Sequence, residues 1–302
     1  RPVQAQKVVV MTSRVVYTAL FGEHEKLLEQ PVATQSETRF ICFTDDPSLT
    51  SSSWEIVHVT PLFPTDPRRS QRDIKIRGHE LLAPFDQWLY IDNTVLLKSP
   101  PEQILDQWLG SADWAAFAHD AHQTTWEEFE ANLRSNKDTA ERLNEQLQDY
   151  STHYPAALDK RPLWNGFFAR RNSQKVAETA SLWFHHVCRY SARDQLSIMV
   201  ALSEKPLEVK AISGSTRHSH WHTWPHREGE TPASKATRHA KTSGLKPLAE
   251  ELEASRHENA LLRDQLQRSH DARWLGLGGL WRRVNEFRRA RRRARKQAKK
   301  RS

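Results

Sequence analysis

Short apolar runs alternate with amphipathic segments over the first two thirds of the chain. Runs with alternating or continuous apolar residues predict strands at Arg14–Thr18, Arg39–Thr44, Trp54–Val59, Trp88–Ile91, Val95–Leu97, Trp114–Ala118 and Leu163–Ala169. Apolar residues at helical spacing predict helices over 67–83, 100–109, 126–149, 173–190 and 193–203. Strands that alternate with helices are typical of an α/β fold. We therefore expect a mixed sheet flanked by helices in a domain spanning residues 11–230.

A different pattern follows this domain. Residues 213–244 are rich in Ser, Thr, His and Pro, which indicates a loop, with 231–244 as the linker. A heptad seam then continues to Ser269, with apolar or small residues at Leu245, Leu248, Leu252, Ser255, Asn259, Leu262, Leu266 and Ser269. This spacing predicts a coiled coil over 245–270 that pairs two copies of the chain in a homodimer. A single amphipathic helix packed on its own domain is the alternative.

Positive charge is concentrated at the C-terminal end. The chain carries a formal charge of +8, and residues 282–302 hold twelve Lys and Arg and one acid, so the remainder sums to about −3 (8 − 11). Trp274 and Trp281 precede these cations, so we expect 271–302 to be an amphipathic tail on an anionic membrane surface. A solvated tail is the alternative, and nucleic acid is not an expected partner because the body of the chain is not basic.

The remaining composition indicates a cytoplasmic protein at the inner face of the membrane. Cys42 and Cys188 lie in apolar runs, so we interpret them as reduced core residues. No run approaches the roughly 18 apolar residues of a membrane span. Met11 begins a segment that reads as a natural start, which makes residues 1–10 an extension.

Polar residues with candidate chemistry follow the predicted strands. Asp92 ends the apolar run QWLYI, a position at which open α/β sheets bind ligands. Its oxygens suit Mg²⁺ or Mn²⁺, although a turn explains Asp92-Asn93 equally well. Arg72, Lys75 and His79 share one face of a predicted helix, which resembles a diphosphate cradle, or else is a solvated face.

Longer motifs carry a family resemblance. They are VVYTALFG (15–22), RFICFTD (39–45), WEIV (54–57), DPRRSQRDIKIRGHELL (66–82), LYIDNTVLL (89–97), FAHDAHQTTWEEFEAN (117–132) and LWFHHVCRYSARDQLSI (182–198). In this order, over roughly residues 14–210, the chain resembles the glycosyltransferase-like family typified by plant mucilage-related and turgor-regulation proteins. That family also contains a plant protein described as a ceramidase.

The resemblance implies a GT-A-like, Rossmann-like fold that binds a nucleotide sugar. It implies a nucleotide loop with Tyr17, Thr18 and Gly22, a contact from Asp45 to the base or ribose, phosphate contacts from Arg72 and Lys75, and a metal, Mn²⁺ or Mg²⁺, held against the diphosphate at Asp92-Asn93. Because Asn93 and Thr94 replace the second acid of the usual Asp-x-Asp motif, another ligand is needed. The segment STRHSHWHTWPH offers His218, His220 and His222, of which we expect His220 to supply it, unless this His-rich loop binds no metal.

The resemblance also implies candidate catalytic positions on the acceptor side. They are Asn165-Gly166, where the small Gly admits a sugar, and Asp194-Gln195 at a helix start, where Asp194 orients hydroxyls or acts as base. A helix cap is the simpler explanation of Asp194. Glu127 and Glu128 either support these residues or are ordinary residues of a first helical turn.

The sequence thus predicts transfer of a sugar from a nucleotide-diphosphate donor, a UDP-sugar, to a cell-surface glycan or a lipid-linked precursor. Two alternatives stay open: a lipid-amide hydrolase, and a catalytically degenerate scaffold at the membrane.

Overall fold

The computed structural model describes residues 12–22 and 26–225. Its strands are β1 Arg14–Leu20, β2 Arg39–Thr44, β3 Glu55–His58, β4 Gln87–Ile91, β5 Leu96–Leu97, β6 Trp114–Ala118, β7 Leu163–Arg171, β8 Val209–Ile212 and β9 His222–Thr223. Seven of them form a central sheet in the order β3-β2-β1-β4-β7-β6-β8. Strand β7 is antiparallel to both of its neighbours, and the other pairs of this sheet are parallel. Strands β5 and β9 form a separate antiparallel pair.

Helices occupy the segments between the strands. They are α1 Pro67–Arg77, α2 Pro101–Leu109, α3 Thr125–Arg134, α4 Ala140–His153, α5 Pro155–Leu158, α6 Gln174–Arg189 and α7 Ile198–Glu204, with 3₁₀ turns at Pro31–Gln35, Glu80–Leu82 and Asp194–Leu196. Local sequence explains several starts: the side chains of Asp66, Thr124, Thr139 and Ser173 each accept a hydrogen bond from a free N–H of the first turn.

Both faces of the sheet are covered by helices. One face, with Tyr17 and Tyr90, packs in a cluster that includes Ile74 of α1 and Trp183 of α6. The other face packs against α2 through Trp108. A third cluster joins side chains of α3, α4, α5 and α7. The predicted α/β class, a mixed sheet flanked by helices, is therefore confirmed.

Several boundaries differ from the sequence prediction for physical reasons. The helix predicted over 67–83 ends at Arg77, because Gly78 takes a positive φ of 84°. His79 consequently lies outside the helix, where it accepts a hydrogen bond from Leu81 N–H, and does not share a helical face with Arg72 and Lys75. The helix predicted over 126–149 is two helices, α3 and α4. Cys188 is exposed, so its interpretation as a core residue was wrong, whereas Cys42 is buried.

Several sequence predictions lie outside the described residues. These are the extension (1–10), the linker (231–244), the coiled coil (245–270) and the basic tail (271–302), and with them the homodimer and the membrane contact. None of the helices within residues 12–22 and 26–225 combines the length and the apolar character that a membrane span requires.

The topology brings the polar ends of many strands to one edge. Strands β1, β2, β4, β6 and β8 run in the same direction, so their carboxyl ends meet there. Because β7 is antiparallel, its first residues lie at the same edge: Gly166 C=O accepts a hydrogen bond from Asp92 N–H at 2.8 Å. Ligands of open α/β sheets bind at such an edge.

Candidate active site

A cavity of about 460 Å³ opens at this edge. It is lined by residues from β7, α1, α3 and the segments that follow β4, β6, α3, α6, β8 and β9: Arg72, Lys75, Asp92, His119, Asp120, Ala121, His122, Glu128, Ala131, Asn132, Ser135, Lys137, Trp164, Gly166, Arg193, Asp194, Gln195, Thr216, Arg217 and Trp224. Its wall is therefore mostly polar and charged, with two tryptophans.

Four charged side chains form a linked cluster in this wall. Lys75 Nζ lies 2.8 Å from Asp194 Oδ2 and 3.3 Å from Asp92 Oδ1. Arg72 Nε lies 3.3 Å from Asp194 Oδ1. The order Arg72–Asp194–Lys75–Asp92 alternates in sign, so the four formal charges cancel. We call these residues the charge cluster.

Neighbouring aromatic and polar groups fix the charge cluster. Arg72 and Lys75 lie three residues apart on α1 and therefore on one face of that helix. Tyr90 donates through its hydroxyl to Asp92 Oδ1 at 2.7 Å, and Gln71 Nε2 donates to that hydroxyl at 2.7 Å. The Lys75 ammonium lies 5.1 Å from the centre of the Tyr90 ring. The two carboxylates are thus held in place before any ligand binds.

The charge cluster determines the ionisation of Asp194. Burial alone would raise its pKa, but Arg72 and Lys75 together outweigh burial and hold the pKa at about 2. Asp194 is therefore an anion at neutral pH, and its affinity for a proton is low. The predicted role as a base does not fit this environment, while the role of orienting sugar hydroxyls does.

The position of Lys75 does not match its predicted role of contacting the phosphates. The residue is only 1% exposed. Its ammonium group is already in contact with two carboxylates, so its direct effect is to position Asp92 and Asp194. Arg72, whose side chain is 15% exposed, is the cation of the charge cluster that can extend further into the cavity.

Four of the residues predicted to bind the nucleotide lie outside the cavity lining. Tyr17 and Thr18 are fully buried, and Tyr17 donates its hydroxyl to the Lys75 carbonyl at 2.8 Å. Gly22 N–H donates to Asp45 Oδ1 at 3.0 Å, so Asp45 ties the end of β2 to the segment after β1. These four residues do not line the cavity.

The side chain of Asn93 hydrogen-bonds to the main chain of the segment that follows β1. Its side chain accepts a hydrogen bond from Leu28 N–H at 2.7 Å and donates to the Lys26 carbonyl at 2.5 Å. Both side-chain groups are therefore engaged by the main chain, which explains an amide directly after Asp92.

The acceptor-side residues are brought to the same edge. Gly166 and Gln195 line the cavity, whereas Asn165 is buried beside it. A register shift between β6 and β7 places Asn165 and Gly166 in a bulge. A Cβ at Gly166 would lie 2.7 Å from the Trp164 ring, so Gly is required for this packing. Among the described residues, neither polar atom of the Asn165 side chain has a hydrogen-bond partner.

The predicted metal ligands are not brought together in the cavity. His220 is exposed and outside the lining; its ring packs against Trp221 at 3.8 Å and its carbonyl accepts a hydrogen bond from Ser99. Asp92 Oδ1 is already bound by Lys75 and Tyr90. A protein ammonium therefore occupies the place beside Asp92 where a cation was expected, and the residues present do not fit a metal held by Asp92 and His220.

A second polar group lies in the cavity wall, and the sequence analysis missed its two histidines. His122 Nδ1 lies 2.5 Å from Glu128 Oε2, and His119 Nε2 lies 3.8 Å from the same oxygen. The imidazole rings of His119 and His122 stack at 4.5 Å. The signal was the spacing His-x-x-His followed six residues later by Glu. Glu127 instead accepts a hydrogen bond from Gln123 N–H, as an ordinary residue of a first helical turn does.

Comparison with known protein families identifies the chain. The model of the TOD1/MUCI70 glycosyltransferase-like domain matches residues 3–212. The chain belongs to this family. The family match includes β1 through β8 and most of the cavity wall, whereas Thr216, Arg217 and Trp224 lie beyond it. The mostly parallel sheet with helices on both faces agrees with the predicted mixed α/β class.

Two solved structures are similar to the chain at low identity. The bifunctional glycosyltransferase WbbM, in its apo structure, shares 14% identity with a TM-score of 0.40, over 69% of this chain and 40% of its own. Core-mannan synthase A from Aspergillus fumigatus, in a Mn/GDP form, shares 11% identity with a TM-score of 0.41, over 68% of this chain and 74% of its own. The chain thus spans less than half of the WbbM chain. No curated protein matches the sequence.

Proposed function

We propose that this chain is a glycosyltransferase that moves a sugar from a UDP-sugar to a cell-surface glycan or its lipid-linked precursor. The observation that carries the proposal is the charge cluster in a cavity at the carboxyl edge of the sheet. Membership of the glycosyltransferase-like family supports it independently.

The diphosphate of the donor is proposed to bind on the cationic part of the wall. Arg72, Arg193 and Arg217 come from three different segments and line one cavity. A guanidinium group can bind phosphate oxygens through two parallel hydrogen bonds. Charge builds on the diphosphate as it leaves the sugar, so cations fixed before the reaction stabilise the transition state more than the bound substrate.

The sugar is proposed to lie between the carboxylates and the tryptophans. The carboxylates of Asp92 and Asp194 are acceptors held in position by Lys75, which suits hydrogen bonds from sugar hydroxyls. Trp164 and Trp224 lie 5.0 Å apart, and Trp224 is anchored by its indole N–H, which donates to Thr94 Oγ1 at 3.1 Å. Apolar faces next to a few fixed polar groups are typical of small-molecule sites.

The sequence of the C-terminal part of the chain suggests where the enzyme binds its acceptor. We propose that the heptad seam over 245–270 pairs two copies, and that the basic tail over 271–302 holds the enzyme at the inner face of a membrane, on the cytoplasmic side. The twelve cations of residues 282–302 support this, since each basic residue near an anionic surface contributes about 1 kcal/mol. Lipid-linked glycan precursors would be available there.

Release of nucleotide tests the activity. The purified chain is incubated with UDP-sugars, and in parallel with GDP-sugars, with and without Mn²⁺, and free nucleoside diphosphate is measured. We expect slow release of UDP even to water, and a loss of about 100-fold or more in Asp92→Ala. Asp106→Ala, which removes an acid with a 63% exposed side chain, is the control and should retain the activity.

The same assay separates the two alternatives. A lipid-amide hydrolase would cleave a ceramide-type amide and release no nucleotide. A scaffold would show neither activity, and Asp92→Ala would leave its nucleotide binding unchanged. Either result would overturn the proposed transferase.

A further inference from the structure

We infer that His119, His122 and Glu128 form a binding site for one divalent transition-metal ion, open to the cavity that holds the charge cluster. Each residue offers one ligand atom, and these atoms all lie within 4.8 Å of one another. All three residues line the cavity.

The fold explains how residues from two elements meet. His119 and His122 follow the carboxyl end of β6, where His119 N–H donates to the Pro162 carbonyl at 2.9 Å. Glu128 lies in the first turn of α3, six residues beyond His122. The start of this helix is fixed by Thr124, whose hydroxyl accepts a hydrogen bond from Glu127 N–H. The two imidazoles and the carboxylate are therefore held by a strand end and a capped helix.

Polar neighbours hold the carboxylate of Glu128 in a ligand-like orientation. Glu128 is 4% exposed, and Asn132 Nδ2 donates to its Oε1 at 2.8 Å. Arg193 Nε donates in turn to Asn132 Oδ1 at 3.1 Å, which fixes the orientation of that amide. The other oxygen, Oε2, is directed to both histidines. Outer hydrogen bonds that orient a ligand are a regular feature of metal sites.

The chemistry of the donor set indicates the class of metal. Two imidazoles with one carboxylate suit Zn²⁺, Co²⁺, Fe²⁺ or Mn²⁺, whereas Mg²⁺ prefers oxygen ligands alone. Three protein ligands leave at least one coordination position, which here is open to the cavity. An ion at this site would supply positive charge to an oxygen-rich ligand in the cavity, such as the diphosphate of the proposed donor.

The three ligands are not equivalent. His122 Nδ1 and Glu128 Oε2 already face each other, so a cation can replace the proton between them once the two atoms move apart. His119 Nδ1 accepts a hydrogen bond from His122 N–H at 3.1 Å, which leaves the ring proton on Nε2. Binding through Nε2 must displace that proton, and the hydrogen bond is then lost. His119 should therefore contribute less to metal affinity than His122.

Metal binding without nucleotide tests the site, and its outcome does not depend on the proposed function. The full chain without an affinity tag is titrated with Co²⁺, the ligand-field absorption is recorded, and Zn²⁺ is added to displace the Co²⁺. We expect one tight site, with affinity lowered about 100-fold or more in His122→Gln and in Glu128→Gln. The loss should be smaller in His119→Gln.

The matched control is His220→Gln, which removes an exposed histidine outside the cavity and should leave the tight site intact. Glu128→Gln conserves shape, and thermal unfolding of each metal-free variant checks that it is folded. The inference is overturned if wild type binds no Co²⁺ tightly, or if folded His122→Gln and Glu128→Gln bind Co²⁺ as wild type does. It is equally overturned if His220→Gln abolishes the tight site.

Discussion

Replacing Lys75 by methionine tests whether one buried ammonium group holds the two carboxylates of the charge cluster. Lys75 is 1% exposed and contacts Asp194 at 2.8 Å and Asp92 at 3.3 Å. Methionine keeps much of the apolar length of the side chain and removes the charge. The two acids then lose their shared cation, and Asp194 keeps Arg72 as its partner.

The size of the effect follows from burial and from the pKa of Asp194. Lowering that pKa from 3.8 to about 2 corresponds to roughly 2 kcal/mol of folding free energy, the amount by which the attraction of Arg72 and Lys75 exceeds the cost of burial. Removing one partner of a buried ion pair typically costs about 3–5 kcal/mol, and the retained contact of Asp194 with Arg72 keeps the expected cost at the lower end of that range. We therefore expect Lys75→Met to lower the free energy of unfolding at pH 7 by about 3 kcal/mol.

The pH dependence gives a second signature. Because the folded pKa of Asp194 lies below its unfolded value, the stabilisation is fully present above about pH 4 and is lost as the pH falls towards 2. The difference in stability between wild type and Lys75→Met should therefore be largest near neutral pH and shrink on acidification.

Urea unfolding followed by tryptophan fluorescence measures both quantities, with Lys175→Met as the control. Lys175 pairs with Asp113 at 2.9 Å, but its side chain is 58% exposed, so its loss should cost no more than about 1 kcal/mol. Equal destabilisation by the two substitutions at pH 7 would refute the reasoning, as would a difference between wild type and Lys75→Met that does not change from pH 7 to 3.

Three further predictions concern other parts of the chain. Burial lowers the pKa of His222 to about 4, so on acidification the unfolded state binds a proton at a higher pH than the folded state does. Wild type should therefore lose roughly 3 kcal/mol of stability as the pH falls from 6.5 to 4. In urea unfolding, His222→Gln should lack this loss. Gly78→Ala should destabilise the protein by about 2 kcal/mol or more in the same assay, because φ is 84° and the new Cβ would lie 2.4 Å from the Trp88 ring. The control Gly110→Ala has open space around the new Cβ and should cost about 1 kcal/mol. Asn93→Ala should speed tryptic cleavage after Lys26, because the Asn93 side chain hydrogen-bonds to the main chain at Lys26 and Leu28. The control Asn144→Ala changes an exposed residue, and this variant should be cleaved as wild type is.

Much of the sheet could be predicted because its strands are continuous apolar runs. The bounds of β2 and β6 agree with the prediction, and those of β1, β4 and β7 differ by a few residues at one end. β8 was missed because it is a short edge strand whose residues are at least partly exposed, so Val209–Ile212 carries little hydrophobic pattern. Local pattern alone does not reveal that β6 pairs with it.

Only those features of the site that follow from the spacing of residues within one helix or strand could be predicted from the sequence. Helical periodicity places Arg72 and Lys75 on one face, and the strand end places Asp92 at the carboxyl edge. That Lys75 is buried between Asp92 and Asp194 depends on the packing of α1 against α6, which brings together residues far apart in the sequence. His119 and His122 were overlooked for the same reason, and Glu128 was not linked to them, since the histidines follow a strand and Glu128 begins a helix.

Binding of nucleotide sugars by isothermal titration calorimetry tests the central claim, that the cavity at the carboxyl edge is the donor site. Wild type should bind a UDP-sugar, and Arg72→Gln should weaken that binding at least tenfold because charged hydrogen bonds to phosphate contribute about 1.5–3 kcal/mol. Arg39→Gln, which removes a surface arginine with a 53% exposed side chain, should bind as wild type. If no nucleotide sugar binds, or if Arg72→Gln binds as tightly as wild type, the cavity is not the donor site.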